Sequence, residues 1–195
     1  MEKNKSLMWK HSLNHGILLG LLLIIYSVVL YMFNVIPVGI KLSLLLLVIN
    51  LAIYFFALLF LTKNYRNDIL GGYIDYGKAF LYSLLIVAFS SILLAIYSYI
   101  FNAFIDPDYI QRVMDATQDW TREFMSSKGL PESQIDIAME KIEGKELPTP
   151  LKSALQGILG GVILGAIVSL ITSAIVKKKK ELFQEKGVVE DNPTE

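Results

Sequence analysis

The sequence predicts an all-α membrane protein: a four-helix transmembrane bundle with a small extracytoplasmic helical hairpin between helices three and four. Three observations predict it. Gly16–Ile36, Leu42–Leu61, Ala79–Ile105 and Leu155–Val176 contain no Asp, Glu, Lys or Arg, and about 20 apolar residues cross a hydrocarbon core of about 30 Å as a helix. The chain is 54% hydrophobic and 18% charged, whereas soluble domains are about 45–50% apolar and about 25% charged. Its charges are also segregated. Segment 106–152 carries six basic and ten acidic residues, while Lys3, Lys5 and Lys10 precede the first run and Lys177–Lys180 follow the last.

Lys and Arg remain on the cytoplasmic side, and short flanks close to helix ends count most. Both termini and the hinge between helices two and three are therefore expected in the cytoplasm. Residues 106–152 are expected outside. The expected organisation is an N-terminal cytoplasmic segment with helices one to three (about 16–36, 42–61 and 79–105), the outer hairpin (106–152), the fourth helix (153–176), and a basic flank with a disordered tail (177–195). The first run is longer than the 7–15 apolar residues of a signal peptide and lacks a small-x-small cleavage site, so it reads as a retained anchor.

Helices one and two are expected to form a tight hairpin, because "PVGIK" alone separates them, with Pro37 as the stop and Gly39 as the turn. Irregular backbone cannot face lipid, which puts this turn at the outer interface. The third run is 27 residues long and bears Tyr82, Tyr97, Tyr99, Phe101 and Phe104, aromatic residues suited to the headgroup layer. A run of that length tilts or projects beyond the hydrocarbon.

Outside the membrane, Asp106 is placed to cap a helix starting at Pro107. Ile110, Val113, Met114, Thr117, Trp120 and Phe124 then recur at helical spacing. Gly129 ends that helix, and Pro131 opens a second with Ile135, Ala138, Met139 and Ile142 on one face. A unit this short has too small a core to stand alone.

The hinge "NDILGGYIDYGKAF" raises the question of a phosphate loop. That loop requires G-x-x-x-x-G-K-[ST] between a strand and a helix; here Ala79 follows Gly77-Lys78, and a membrane helix comes before. The stretch reads instead as a cytoplasmic hinge. Gly71 and Gly72 reverse the chain, Tyr73 and Tyr76 lie among headgroups, and Asp75 caps the third helix. Arg66, Lys78 and the run Lys177, Lys178, Lys179, Lys180 face anionic lipid headgroups.

The run "YRNDILGGYIDYGKAF", followed by "FIDPDYI", resembles a family of bacterial four-helix membrane proteins catalogued as domain of unknown function 4199. The resemblance covers nearly the whole chain. It includes Tyr65-Arg66, Gly71-Gly72-Tyr73, Gly77 with Ala79-Phe80, Asp106-Pro107, and the small-residue last helix ending in lysines. Family members often carry a hydroxyl residue where this chain has Asp75, which argues against Asp75 as an obligatory catalytic acid. The resemblance implies an inner-membrane location and supplies no activity.

Several chemistries lack their residues. The absence of cysteine excludes disulfides and thiolate sites. His11 and His15 stand four apart, yet zinc takes three or four protein ligands and no third is evident nearby. Proton-coupled transport normally keeps a charge inside the bilayer, and intramembrane proteolysis needs a nucleophile–base pair or carboxylate dyad at depth. Neither is visible. No catalytic residue, cofactor, metal or nucleic-acid partner is expected.

Two features remain. Asn50, in the middle of the second helix, reads as an amide joined to a neighbouring helix, with Ser90, Ser91 and Ser98 as partners, or else as a polar pore lining. Ser153, Gly157, Gly161, Gly165, Ser169 and Ser173 recur every fourth residue, and Ser12, Gly16 and Gly20 repeat the spacing in helix one. Such stripes let helix backbones approach closely. They serve either self-association or packing within one bundle. The expected role is a non-enzymatic membrane interaction or assembly subunit, as a homo-oligomer or with another membrane protein; the alternative is a small transporter or channel component.

Overall fold

The computed structural model describes residues 2–144 and 146–179; Lys180 and the expected tail 181–195 lie outside the described residues. Six helices follow one another: α1 (Glu2–Met32), α2 (Ile40–Asn64), α3 (Tyr76–Ile100), α4 (Tyr109–Ser127), α5 (Glu132–Glu143) and α6 (Pro150–Val176). A π-helical turn, Tyr65–Ile69, extends α2, and another, Phe101–Ile105, extends α3. Four segments are long and apolar enough to cross a membrane: Ser6–Met32, Ile40–Ile69, Tyr76–Ile105 and Pro150–Val176.

The neighbours differ from expectation. α1 and α2 are joined by a short turn but do not pack along each other. α3 is central, with α1 on one side and α6 on the other, and α2 packs mainly on α6. The small residues account for this order. A Cβ built on Gly16 would stand 2.5 Å from Phe89 Cβ, and one on Gly20 would stand 2.9 Å from Leu93 Cδ2. α1 can approach α3 this closely because both positions lack a side chain.

The α3–α6 contact is antiparallel and in register. Gly161 meets Ser91, and Gly165 meets Val87. One turn further along each helix, the same register sets Ser169 level with Ser83 and Ser173 level with Ala79, all four fully buried. The stripe on α6 thus has a counterpart on α3: Ala79, Ser83, Val87, Ser91 and Ala95, also four apart.

α1 begins well before the expected first span. Its helix starts at Glu2, Ser12 is fully buried, and Met8 packs against the core. Tyr82, expected among headgroups, is also fully buried: its ring stacks on Tyr65 with centroids 3.9 Å apart.

At the opposite end from the hinge, α4 lies against the α1–α2 turn, and α5 packs on α4. Trp120 sits against Gly39, where a Cβ would meet Trp120 Nε1 at 2.9 Å, and the φ of +83° separately disfavours any side chain there. α4 ends at Ser127, and Gly129 at φ +75° reverses the chain. In α5, Ile135 and Met139 are the buried residues. Thr149 caps α6, its hydroxyl accepting from the Lys152 N–H at 3.3 Å, with Pro150 as the first helical residue.

Candidate functional site

Because α1 and α2 stand apart, the four long helices do not close around one another at the end that carries α4. A cavity of about 310 Å³ lies there, walled by residues of α1, α2, α3 and α6. Tyr26 comes from α1, Asn50 from α2, Ser91 and Ser98 from α3, Asn102 from the π-helical turn, and Gly157 from α6. A second hollow of about 380 Å³ lies under α4, lined by Ile110, Val113, Met114 and Thr117. Asn102 and Tyr109 line both.

Asn50 does not join two helices. Its Nδ2 donates to Leu46 O of its own helix at 3.0 Å, and the side chain borders the cavity. Ser91 and Ser98 border the cavity too, without bonding Asn50. A buried polar link between helices is instead made by Thr62 Oγ1 with Ser83 Oγ, 2.8 Å apart, both fully buried. Interhelical bonds of this kind are worth about 0.6–2 kcal/mol in lipid.

The roof of the cavity is an aromatic cluster, backed by an ion pair outside the lining. Tyr31, Phe101 and Tyr109 meet edge to face, with centroids 4.9 to 6.0 Å apart. The Tyr31 hydroxyl donates to Asp106 Oδ2 at 2.9 Å, and Arg112 grips both oxygens of the same carboxylate. Asp106 therefore ties α1 to α4 and does not cap the helix after it; Asp108 occupies the cap position, and its side chain makes no cap bond. The Arg112 guanidinium holds the Asp106 carboxyl below its ordinary range; burial opposes this, and the Tyr31 hydroxyl assists.

At the other end, the hinge forms a clasp. Gly71 and Gly72 adopt φ of +67° and +91°, and Ile74 exchanges two backbone hydrogen bonds with Lys178, at 3.0 and 2.9 Å. Arg66 Nη1 donates to Val176 O at 2.9 Å, satisfying a terminal carbonyl of α6. Arg66 thus reaches a helix end. Lys178 Nζ lies 5.7 Å above the centre of the Tyr73 ring. Tyr76 is exposed, its hydroxyl 3.5 Å from Leu170 O. Asp75 stands at the start of α3, but its carboxylate makes no cap bond and pairs with Lys78 at 3.4 Å. Lys177, Lys178 and Lys179 are exposed.

His15 meets a residue the sequence did not single out for it. Its Nδ1 lies 2.6 Å from the Tyr82 hydroxyl. His11 lies against Tyr65, ring centroids 5.9 Å apart. Among the described residues, no group of three His, Cys, Asp or Glu could hold a metal ion.

Of the α6 stripe, Gly161, Gly165, Ser169 and Ser173 lie on the side facing α3, while Gly157 borders the cavity with open space around its Cα. Gly16 and Gly20 face α3 from the other side. Asn102 was missed in the sequence. The available signal was an amide near the end of the long, charge-free third run.

No curated protein and no solved structure matches the chain. Residues 14–178 match the family described as "Protein of unknown function (DUF4199)". That match spans most of the chain, which belongs to this family.

Proposed function

We propose that this is a multi-pass protein of the bacterial inner membrane, folded as a four-helix bundle, that serves as a non-enzymatic interaction or assembly subunit. The N-terminus, the hinge and the lysines after α6 would face the cytoplasm, with Lys177–Lys179 near anionic headgroups. The α4–α5 pair would stand outside.

One observation carries the assembly reading. The α4–α5 pair is fastened to the long helices through Asp106 and Trp120, yet Phe124, Leu130 and Ile137 around its turn remain exposed. Apolar residues held rigidly at the surface favour a protein contact. Much of the glycine stripe is engaged within the chain, so the outer pair is the better contact surface. A photo-crosslinking residue at Ile137 in native membranes should give one discrete protein adduct, either a second copy or one other protein. The same residue at Ile163, 63% exposed on α6, should capture lipid. A position 137 that also captures only lipid would overturn the reading.

The cavity supports a second reading, a transporter component. Against a continuous path, Leu19, Leu58, Tyr82 and Ile86 fill the half nearer the hinge, all essentially buried.

A further inference from the structure

We infer that α4 is a swinging lid with two docking positions, and that the structure holds it in the closed one. Leaning on α1 and the α1–α2 turn, it closes the roof of the cavity. Moved across to the start of α6, it opens that roof.

The closed position rests on few contacts. Every α4 residue is at least partly exposed, and α4 packs more on α5 than on any spanning helix. Two props hold it. Tyr31 of α1 takes Asp106 through its hydroxyl and Tyr109 through its ring, and Trp120 fits against Gly39.

On the α6 side the apolar face of α4 stands off. Ile110, Val113 and Met114, all half-buried, border the hollow of about 380 Å³, and Pro148 and Ser153 form its far wall. One turn beyond Ser153, a Cβ on Gly157 would stand in open space. Small residues let a helix approach closely, and this first part of the α6 stripe is bare. It is the second docking place, and α4 already turns the matching apolar face toward it.

The pivot lies between α3 and α4. Phe101–Ile105 is a π-helical turn, and Asp106 then leaves the helix with φ of −142° and ψ of 79°. A few residues at the end of an element are enough to absorb the dihedral changes of a hinge. The swing exchanges one set of contacts for another. Tyr109 leaves Tyr31, which parts the aromatic roof, while Ile110, Val113 and Met114 fill the hollow. This device governs access to the cavity and stands whether or not the α4–α5 pair meets a protein.

The test uses the full chain in nanodiscs, spin-labelled at Asp119→Cys and Leu155→Cys, since the chain has no cysteine of its own. The arm from Asp106 to Asp119 is about 20 Å long at about 1.5 Å per residue, so a modest rotation moves its tip by several ångströms. The distance distribution should show a longer, closed population and a shorter, open one. Tyr31→Leu should raise the ratio of open to closed about tenfold, as expected when an aromatic pair and a hydrogen bond are lost. Ser153→Trp fills the hollow and should leave the closed population alone. Access is read separately at Ser27, on the cavity wall. In unlabelled protein, Ser27→Cys should react with a membrane-impermeant thiol reagent about tenfold faster beside Tyr31→Leu than beside Ser153→Trp. A single distance shared by the parent and Tyr31→Leu refutes the lid, and so does equal reactivity of position 27 in the two backgrounds.

Discussion

Val87 of α3 occupies the space that a side chain at Gly165 of α6 would need: a Cβ there would come within 2.4 Å of Val87 Cγ1. Val87 is β-branched and fully buried, so it has little freedom to move aside. Gly165→Ala should therefore force α6 off α3 and lower stability by about 1–3 kcal/mol, the usual cost of overpacking. Gly157→Ala is the matched control, since its Cβ meets nothing within 4 Å. Relieved of glycine's conformational freedom, that variant should be neutral or gain about 0.5–1 kcal/mol. Melting temperatures in one detergent check both. Equal melting of the two variants would mean that α3 and α6 are not in this register.

Arg66 holds the end of α6 from a different part of the chain, through Val176 O. Arg66→Ala should loosen the clasp and expose the backbone near Lys177 and Lys178. A hydrogen bond to a charged group contributes about 1.5–3 kcal/mol when buried, and this partly exposed one lies at the lower end. Trypsin should then cut after Lys177 or Lys178 about tenfold faster, since proteolysis follows the open population. Mass spectrometry of the fragments separates these cuts from others. An unchanged cleavage rate would show that the Ile74–Lys178 pairing holds this end without Arg66.

The Asp106 carboxyl titrates below its usual value because Arg112 and Tyr31 bind the ionised form. A depressed pKa in the folded protein adds stability above the unfolded value of about 3.9. That stability is lost as pH falls through the folded pKa. Docking of α4 should thus be flat from about pH 5 to 8 and weaken only below about pH 4. Trp120 fluorescence reports it in a Trp9→Phe background, since Trp9 and Trp120 are the two tryptophans. Asp106→Asn should shift the Trp120 signal at neutral pH and remove the acid transition. A transition centred near pH 6 would point to another group.

Orientation is tested with cysteine, which the chain lacks. Cysteines at Ser126 and Ser133, both exposed, should react with a membrane-impermeant thiol reagent in cells whose outer membrane is permeabilised. A cysteine at the exposed Asn67 should react only after the inner membrane is opened. The reverse pattern would place the protein the other way up.

The four spans could be read directly, because a charge inside the bilayer is costly and its absence over about 20 residues is informative. The amphipathic α4 was equally legible: Ile110, Val113 and Met114 against Arg112 and Asp115 mark an inner and an outer face. The clasp was partly so. Gly71-Gly72 announced a reversal, but Arg66 and Lys78 were read by charge alone, and charge does not distinguish a lipid phosphate from the carbonyl of Val176.

Within the membrane, the sequence by itself determined that α6 has a close-packing face, through Gly161, Gly165, Ser169 and Ser173. It did not determine which helix meets that face. In water, burial separates inner from outer positions; here the exposed Leu170 and the buried Val168 are both apolar, so patterning loses its contrast. Tertiary structure decided that α3, not α2, lies beside α1, because Gly16 and Gly20 accommodate Phe89 and Leu93. That order separates α1 from α2 and opens the cavity where Tyr26, Ser91 and Asn102, distant in sequence, share one wall.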